Sequence, residues 1–434
     1  MRVAALAVLL TLAGPAVHAS QPVVRVVDFE GLPITPATAN RIFDAIDDAA
    51  EQGNEFVLIK LDTPGGLVST TEKIVKRILA SEVPVVVWVG PAGSHAASAG
   101  FFVLLSADVA TMAPGTRTGA ASTVYSGQES KEGDVLLEKM NKDAAALLRS
   151  IVSRRAGTPE AVEAAEQAVF SADAFSETEA LELGLIDLVV GNVEDLMTEL
   201  HELEVTRFDG TKVVLNSENA RFVTSEIDVR QKIFEFLADP IVAYVLLMLG
   251  MAGLYVEMSH PGLIFPAVIG ALCLILGAFA MQFLPVSTVG VLLILLALVM
   301  FILEIKVTSF GMLTVGASLC LIIGSLMLFE GPIPELRVPP ALVLPTAILF
   351  TALVVVVMRF VIAAQRARVA TGVEGLVGEI GTVSADGKVF VHGEIWDARG
   401  TDGSLEPGSR VRVIKAKDLE LDVERVDDDR PEGS

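Results

Sequence analysis

Between residues 240 and 363 the chain carries about five apolar runs, roughly 241–257, 263–283, 286–304, 310–329 and 341–362. Few folds accept such a block. In hydrocarbon every backbone N–H and C=O must find a partner inside its own segment, so each run has to be a helix. About 18 apolar residues suffice to cross the bilayer core. The buried core of a water-soluble domain is the competing reading, and five such runs in succession argue against it. Pro261, Pro285 and the cluster Pro332, Pro334, Pro339 and Pro340 separate some of the runs. The first run is the weakest span.

Composition agrees: 52% of the 434 residues are hydrophobic and 20% are charged, too apolar for an ordinary water-soluble protein. Net charge is −22, and a surface of that sign repels nucleic acid. Cys273 and Cys320 both lie inside apolar runs, with no second thiol or histidine at ligand spacing, so neither a disulfide nor a metal site is expected.

The chain begins like a secretory signal. Arg2 is followed by an apolar stretch, Ala4 to Ala13, too short to span. Gly14-Pro15 breaks the helix, and Val17-His18-Ala19 sets small residues at cleavage spacing. A signal peptide over 1–19 is expected, with an uncleaved anchor as the alternative. An extracytoplasmic N-terminal domain and five spans then put the C-terminus inside. Lys306, Arg359, Arg366 and Arg368 fall on the predicted inner side, as the positive-inside rule requires, with Arg337 the exception. The expected location is a bacterial-type inner or plasma membrane.

Residues 22–205 alternate strand-like runs, such as Phe56–Leu61 and Val83–Val89, with helical periodicity, which predicts an α/β layer with a largely parallel sheet. Residues 206–239 read as a linker or a small appended strand pair. Over 371–426, short alternating runs separated by Asp386-Gly387, Asp402-Gly403 and Pro407-Gly408 predict a small barrel of about five strands. Residues 427–434 read as a disordered tail.

Three stretches of the N-terminal region can carry chemistry. Asp62-Thr-Pro-Gly-Gly66 follows a strand; its paired glycines can turn the backbone with amides exposed to an oxyanion, or can simply make a strand-to-helix turn. Gly93-Ser-His-Ala-Ala-Ser-Ala-Gly100 opens an apolar helix, placing Ser98 at its N-terminus as a nucleophile or as a helix cap. Ser94 competes, farther from the helix start. A serine nucleophile needs a base. His95 is only three residues away on a tight turn, and His201 sits in a charged helix end. A neutral lysine is the other option. At about 100° per residue, Leu136, Met140, Ala144, Leu147 and Ile151 share one face of the helix predicted over 132–156. Lys139 lies at the edge of that face and Lys142 nearly opposite. Lys139 is therefore either a base leaning into a cleft or a surface lysine.

The order and spacing of Asp62-Thr-Pro-Gly-Gly66, Ala96-Ala-Ser-Ala-Gly100, Met112-Ala-Pro-Gly-Thr116 with Gly119-Ala-Ala121, and Lys139 four residues before Asp143 resemble the long form of the NfeD family. These are membrane-bound relatives of ClpP and signal peptide peptidase A. Glu179–Asp187, Gly393-Glu-Ile-Trp-Asp-Ala398 and Pro407-Gly408 extend the match. The resemblance implies an α/β ClpP/crotonase-like N-terminal domain, a multi-span helical membrane domain over 240–363 and an OB-fold domain. It also implies a Ser–Lys dyad of Ser98 and Lys139, oxyanion amides at Gly66 and Ala99, and a turn shaped by Gly65. The implied activity is cleavage of apolar segments in membrane-associated proteins such as stomatin homologues. Expected partners are a stomatin/SPFH-like membrane protein, a peptide substrate, the lipid bilayer and further copies of the chain; no cofactor and no nucleic acid is expected. His95 and Ser122-Thr-Val depart from the family pattern. A crotonase-like acyl-CoA enzyme and a non-catalytic scaffold acting through the OB domain are the alternatives.

Overall fold

The computed structural model describes residues 21–123, 131–155, 157–225, 228–259, 262–307, 309, 311–331, 333–366, 373–401, 403–417 and 419–426. The expected signal segment and C-terminal tail lie outside them.

The N-terminal part runs β1 (Val23–Phe29), α1 (Pro36–Glu51), β2 (Phe56–Leu61), α2 (Val68–Leu79), β3 (Val85–Val89) and β4 (His95–Ala97). It continues through α3 (Ala99–Ser106), β5 (Val109–Met112), β6 (Arg117–Gly119), α4 (Lys131–Arg155), α5 (Pro159–Phe170) and β7 (Ala174–Ser176). Then come α6 (Glu177–Glu182), β8 (Leu188–Val189), α7 (Val193–Leu200), β9 (Glu204–Thr206), β10 (Lys212–Val214), β11 (Arg221–Thr224) and α8 (Val229–Leu237). Six strands form one parallel sheet in the order β11-β1-β2-β3-β5-β8.

Successive strand residues point to opposite faces, and a parallel sheet covered on both faces needs apolar residues at every position. The β-branched runs supply them. Val57, Ile59 and Leu61 enter the core under α1 to α5, with Val85, Val87 and Val89 beside them. Phe56, Leu58, Val86 and Trp88 enter the opposite core under α7 and the β9–β10 hairpin. A separate three-stranded sheet, β4-β6-β7, stands beside the main one and leads directly into α3.

The segment read as a linker or a small appended strand pair, 206–239, holds ordered structure, including β10 paired antiparallel with β9. Strand β11 pairs with β1 at the sheet edge, and α8 is clamped to α1 by Arg41, whose Nε and Nη2 donate to Glu235 at 2.7 and 2.5 Å. The expected apolar face of α4 also shifts. Leu136 is exposed, while Ala145, Leu148, Ile151 and Val152 are buried, because only the second half of the helix lies over the sheet.

The apolar block forms α9 (Pro240–Ser259), α10 (Ile264–Ala280), α11 (Thr288–Lys306), α12 (Met312–Leu326) and α13 (Pro340–Arg366). Four of the described helices are long and apolar enough to span; Met312–Leu326 is shorter. Its 15 residues cover about 22 Å at 1.5 Å each, because Gly311 (φ 91°) delays its start and the chain beyond Met327 turns to meet another loop. Helices α9 and α10 touch closely where a Cβ on Gly253 would come within 2.8 Å of Gly270 Cα, the small-residue contact by which lipid-embedded helices pack. Glu304, a charge inside the third run, accepts from Gly311 N–H (3.0 Å), Thr314 N–H (3.1 Å) and Ser309 Oγ (2.6 Å), and so caps the start of α12. Cys273 and Cys320 are free thiols in α10 and α12.

Five C-terminal strands, β12 (Ile380–Val383), β13 (Val389–Val391), β14 (Glu394–Gly400), β15 (Arg410–Lys417) and β16 (Glu420–Arg425), close into a barrel consistent with an OB-like fold. Val383, Val389, Val391, Val411, Val413, Leu421 and Val423 fill it, with Trp396 packed against them.

Candidate active site

Ser98 occupies the single residue between β4 and α3, with φ 53° and ψ −112°. A side chain rarely adopts such a backbone; holding it there costs on the order of 1–3 kcal/mol, and the surroundings must enforce it. They do so from both sides. Ser98 N–H donates to Gly119 O (2.8 Å), and Ala97 N–H donates to Thr63 O (3.2 Å). All eight residues of α3 are buried. Gly100 lets the helix press onto the Asp62–Gly66 turn, since a Cβ there would fall 2.5 Å from Thr63 Cγ2. The hydroxyl of Ser98 makes no helix-cap hydrogen bond. A capping serine has a favourable backbone and a bonded side chain; Ser98 has neither.

The glycine turn abuts this serine. Gly65 has φ 122°, and a Cβ on it would lie 2.9 Å from Ser98 Cβ and 3.3 Å from Ser98 Oγ. At Gly66 a Cβ would sit 2.2 Å from Ile34 O, because Ile34 is bridged to the turn through Ile34 N–H to Gly65 O (2.8 Å) and Leu67 N–H to Ile34 O (2.9 Å). Gly65 N–H is engaged with Thr63 Oγ1 (3.2 Å). Among the described residues, the N–H groups of Gly66 and Ala99 donate to nothing, and both residues line the same cleft as Ser98. Two unengaged amides beside a hydroxyl are what an oxyanion hole requires.

The cleft encloses about 560 Å³. Its apolar wall includes Leu67, Phe102, Met140 and Leu147, and its carboxylates are Glu72, Asp143 and Glu330. Lys139 is exposed on α4 and is not a lining residue, although Met140 and Asp143, its neighbours along the helix, are. Lys142 points into water and pairs with Glu138 at 2.6 Å. Asn141 holds the cleft's rim by accepting from Thr123 N–H (3.1 Å). His95 is engaged elsewhere: its N–H and Nδ1 lie 2.9 and 3.1 Å from Asp62 Oδ1. His201 and Ser94 also lie outside the cleft lining. Sequence reasoning missed Glu72, Phe102, Pro285, Glu330 and Ile333 as lining residues, because only long-range packing brings them together.

A second cavity, of about 310 Å³, lies at the C-terminal end of α4. Arg155 contacts Asp187, and Arg207 Nε stands 3.6 Å from Asp108. Asp108 also accepts from Val85 N–H (2.8 Å), and Asp187 from Ala110 N–H (2.7 Å). Burial pushes the Asp108 carboxyl above the usual carboxylate range and lowers the Arg155 guanidinium to about 10.

Three family models match the chain: the NfeD1b N-terminal domain over residues 35–207, the NfeD integral membrane domain over 241–360, and the NfeD-like C-terminal, partner-binding domain over 373–425. The chain is 32% identical to the membrane-bound protease PH1510 of Pyrococcus horikoshii, over 98% of this chain and 97% of that one. It is 25% identical to the membrane protein NfeD1b of Bacillus subtilis, over 88% of each. Among solved structures, a serine-to-alanine variant of the 1510-N membrane-bound stomatin-specific protease is similar at 27% identity and TM-score 0.43, covering 48% of this chain and all of that one. A lysine-to-alanine variant of that protease, in complex with a substrate peptide, is similar at 26% identity and TM-score 0.43, covering 50% of this chain and 98% of that one.

Proposed function

This chain belongs to the NfeD family of membrane proteins, and on that footing we propose that it is a membrane-anchored serine endopeptidase acting through Ser98 and Lys139. The observation that carries the reading is the strained, uncapped Ser98 beside two unengaged amides. Ser98 Oγ attacks the scissile carbonyl while Lys139 takes its proton. The oxyanion is held by the N–H groups of Gly66 and Ala99, with Gly65 leaving room for it. Lys139 then protonates the leaving amine, and water releases the acyl group. In the resting chain Lys139 is exposed on α4, and its helix neighbours Met140 and Asp143 line the cleft. A bound peptide would cover Lys139, and a lysine acts as a base only in the neutral form that a water-excluded site favours.

The substrate class in this reading is an apolar segment of a membrane-associated protein such as a stomatin homologue. The catalytic domain is extracytoplasmic and the barrel cytoplasmic. Supporting this, the α10–α11 and α12–α13 loops both reach the Ser98 cleft, as five crossings from an outside N-terminal domain require. The barrel serves partner binding. Phe390 and Ile395 are register partners on β13 and β14, and both are exposed, which gives it an outward apolar pair.

Hydrolysis of a fluorogenic apolar peptide by the full chain in detergent, compared with Ser98→Ala and Lys139→Ala, tests the proposal. Both variants should fold and both should lose turnover. Turnover retained in both would remove the dyad, and absence of turnover in the parent chain would favour the scaffold reading.

A further inference from the structure

The membrane block contributes a wall to the Ser98 cleft. The α10–α11 loop and the α12–α13 loop are stitched together by an antiparallel bridge between Val286 and Phe329. Ser287 N–H donates to Leu328 O (2.9 Å), and Glu330 N–H donates to Pro285 O (2.9 Å). Arg337 Nε donates to Gly331 O (2.8 Å), and Leu336 lies so close over Gly331 that a Cβ there would meet Leu336 Cβ at 2.3 Å. Leu328, Phe329 and Leu336 are buried. The result is a braced platform, which turns Pro285, Glu330 and Ile333 into the cleft that holds Ser98.

The charge of that cleft is one-sided. Glu72 comes from α2, Asp143 from α4 and Glu330 from the platform, and among the described residues no lysine or arginine lines the cavity. None of the three carboxylates has an ion pair or side-chain hydrogen bond among the described residues. Carboxylates of one sign beside a low-dielectric apolar wall focus their field into the space between them. An apolar segment that fits Phe102, Met140 and Ile333 is therefore held best when a cation flanks it.

We propose that the α12–α13 loop is a specificity element of the cleft. Glu330, with Glu72 and Asp143, selects an apolar peptide segment flanked by lysine or arginine. This rests on the reading of the cleft as a peptide site, but its test does not require turnover. The full chain carrying Ser98→Ala is placed in phosphatidylcholine nanodiscs. Fluorescent peptides with one apolar core and a Lys, Gln or Glu flank are titrated by anisotropy. The Lys-flanked peptide should bind about tenfold more tightly than the Gln-flanked one, with the gap shrinking at high salt. Glu330→Gln should narrow the gap, and Glu330→Lys should reverse the order in favour of the Glu flank. Ile333→Ala should weaken all three peptides alike and leave their order intact. Equal affinity for the three flanks, or an order indifferent to Glu330→Lys, would overturn the proposal. Parallel hydrolysis with Ser98 intact separates the two ideas. Charge-ordered binding without cleavage would remove the protease and keep the specificity loop. Cleavage without charge order would do the reverse.

Discussion

The Ser98 cleft and the arginine cavity lie along one helix, α4, and both contain carboxylates, yet they use charge in contrary ways. In the arginine cavity each acid is matched: Asp108 faces Arg207 and a backbone amide, Asp187 faces Arg155 and another. Burying a charge is costly unless partners restore what water supplied, so these pairs tie α4, β5 and the β9–β10 hairpin together. In the Ser98 cleft, acids, amides and a hydroxyl are left without partners among the described residues, and a backbone angle is held in an unfavourable region. Unmet bonding capacity and enforced strain have no use for stability; they are available to a ligand.

That contrast can be broken most sharply at its ends. Ser98→Ala should reduce peptide hydrolysis by about 10³-fold or more, while the urea midpoint stays within error of the parent. A fall in stability comparable to the fall in rate would mean Ser98 is a structural residue. Next in size, Arg155→Met should do the converse. Losing the charge-assisted bond of buried Arg155 to the part-exposed Asp187 costs about 1.5–3 kcal/mol, read as a lower urea midpoint, with the rate per folded molecule unchanged. Gly66→Ala mixes the two effects. Its Cβ would push on Ile34 O, displacing the amide, so turnover should fall about 10²-fold with a measurable loss of stability. Rate loss without KM change would support the amide's oxyanion role.

The smallest expected effects are in pH and surface charge. With Asp108 raised by burial, the folded chain keeps a proton that the unfolded chain has released, between the ordinary carboxylate range and the raised value. That contribution is complete below the ordinary range and is lost as pH rises through the raised one. Asp108→Asn should flatten this part of a stability–pH profile; an unchanged slope would show that the carboxyl does not titrate there. Glu72→Gln, on an unpaired acid of the cleft, should move stability by less than about 0.5 kcal/mol.

Much of the molecule is legible in its residues because the physics is local. Alternating valine-rich runs specify covered strands, and an apolar run in lipid has no option but a helix. The barrel's turns are written as Asp-Gly and Pro-Gly pairs. The limits of this legibility are equally physical. Residues 310–329 have the composition of a spanning helix, but the bridge of Phe329 to Val286 takes its end out of the helix. β11 reads as part of a linker, because its place beside β1 depends on a partner nearly two hundred residues away, Val23 to Arg221. For Ser98, the local sequence allowed a cap or a nucleophile in equal measure.

The sequence by itself determined that a pair of glycines and a serine at a small-residue helix start would each follow a strand of an α/β layer, and that a membrane block would follow. Those outcomes rest on hydrophobic pattern and on glycine's freedom, which operate over a few residues. Only the tertiary structure decided that Ser98 sits at φ 53° with its hydroxyl uncapped. It also left the amides of Gly66 and Ala99 unengaged and set Glu330 from the membrane block into the same cleft. Backbone strain and unmet hydrogen bonds exist only when surrounding elements over-determine a position, so no single segment can encode them alone.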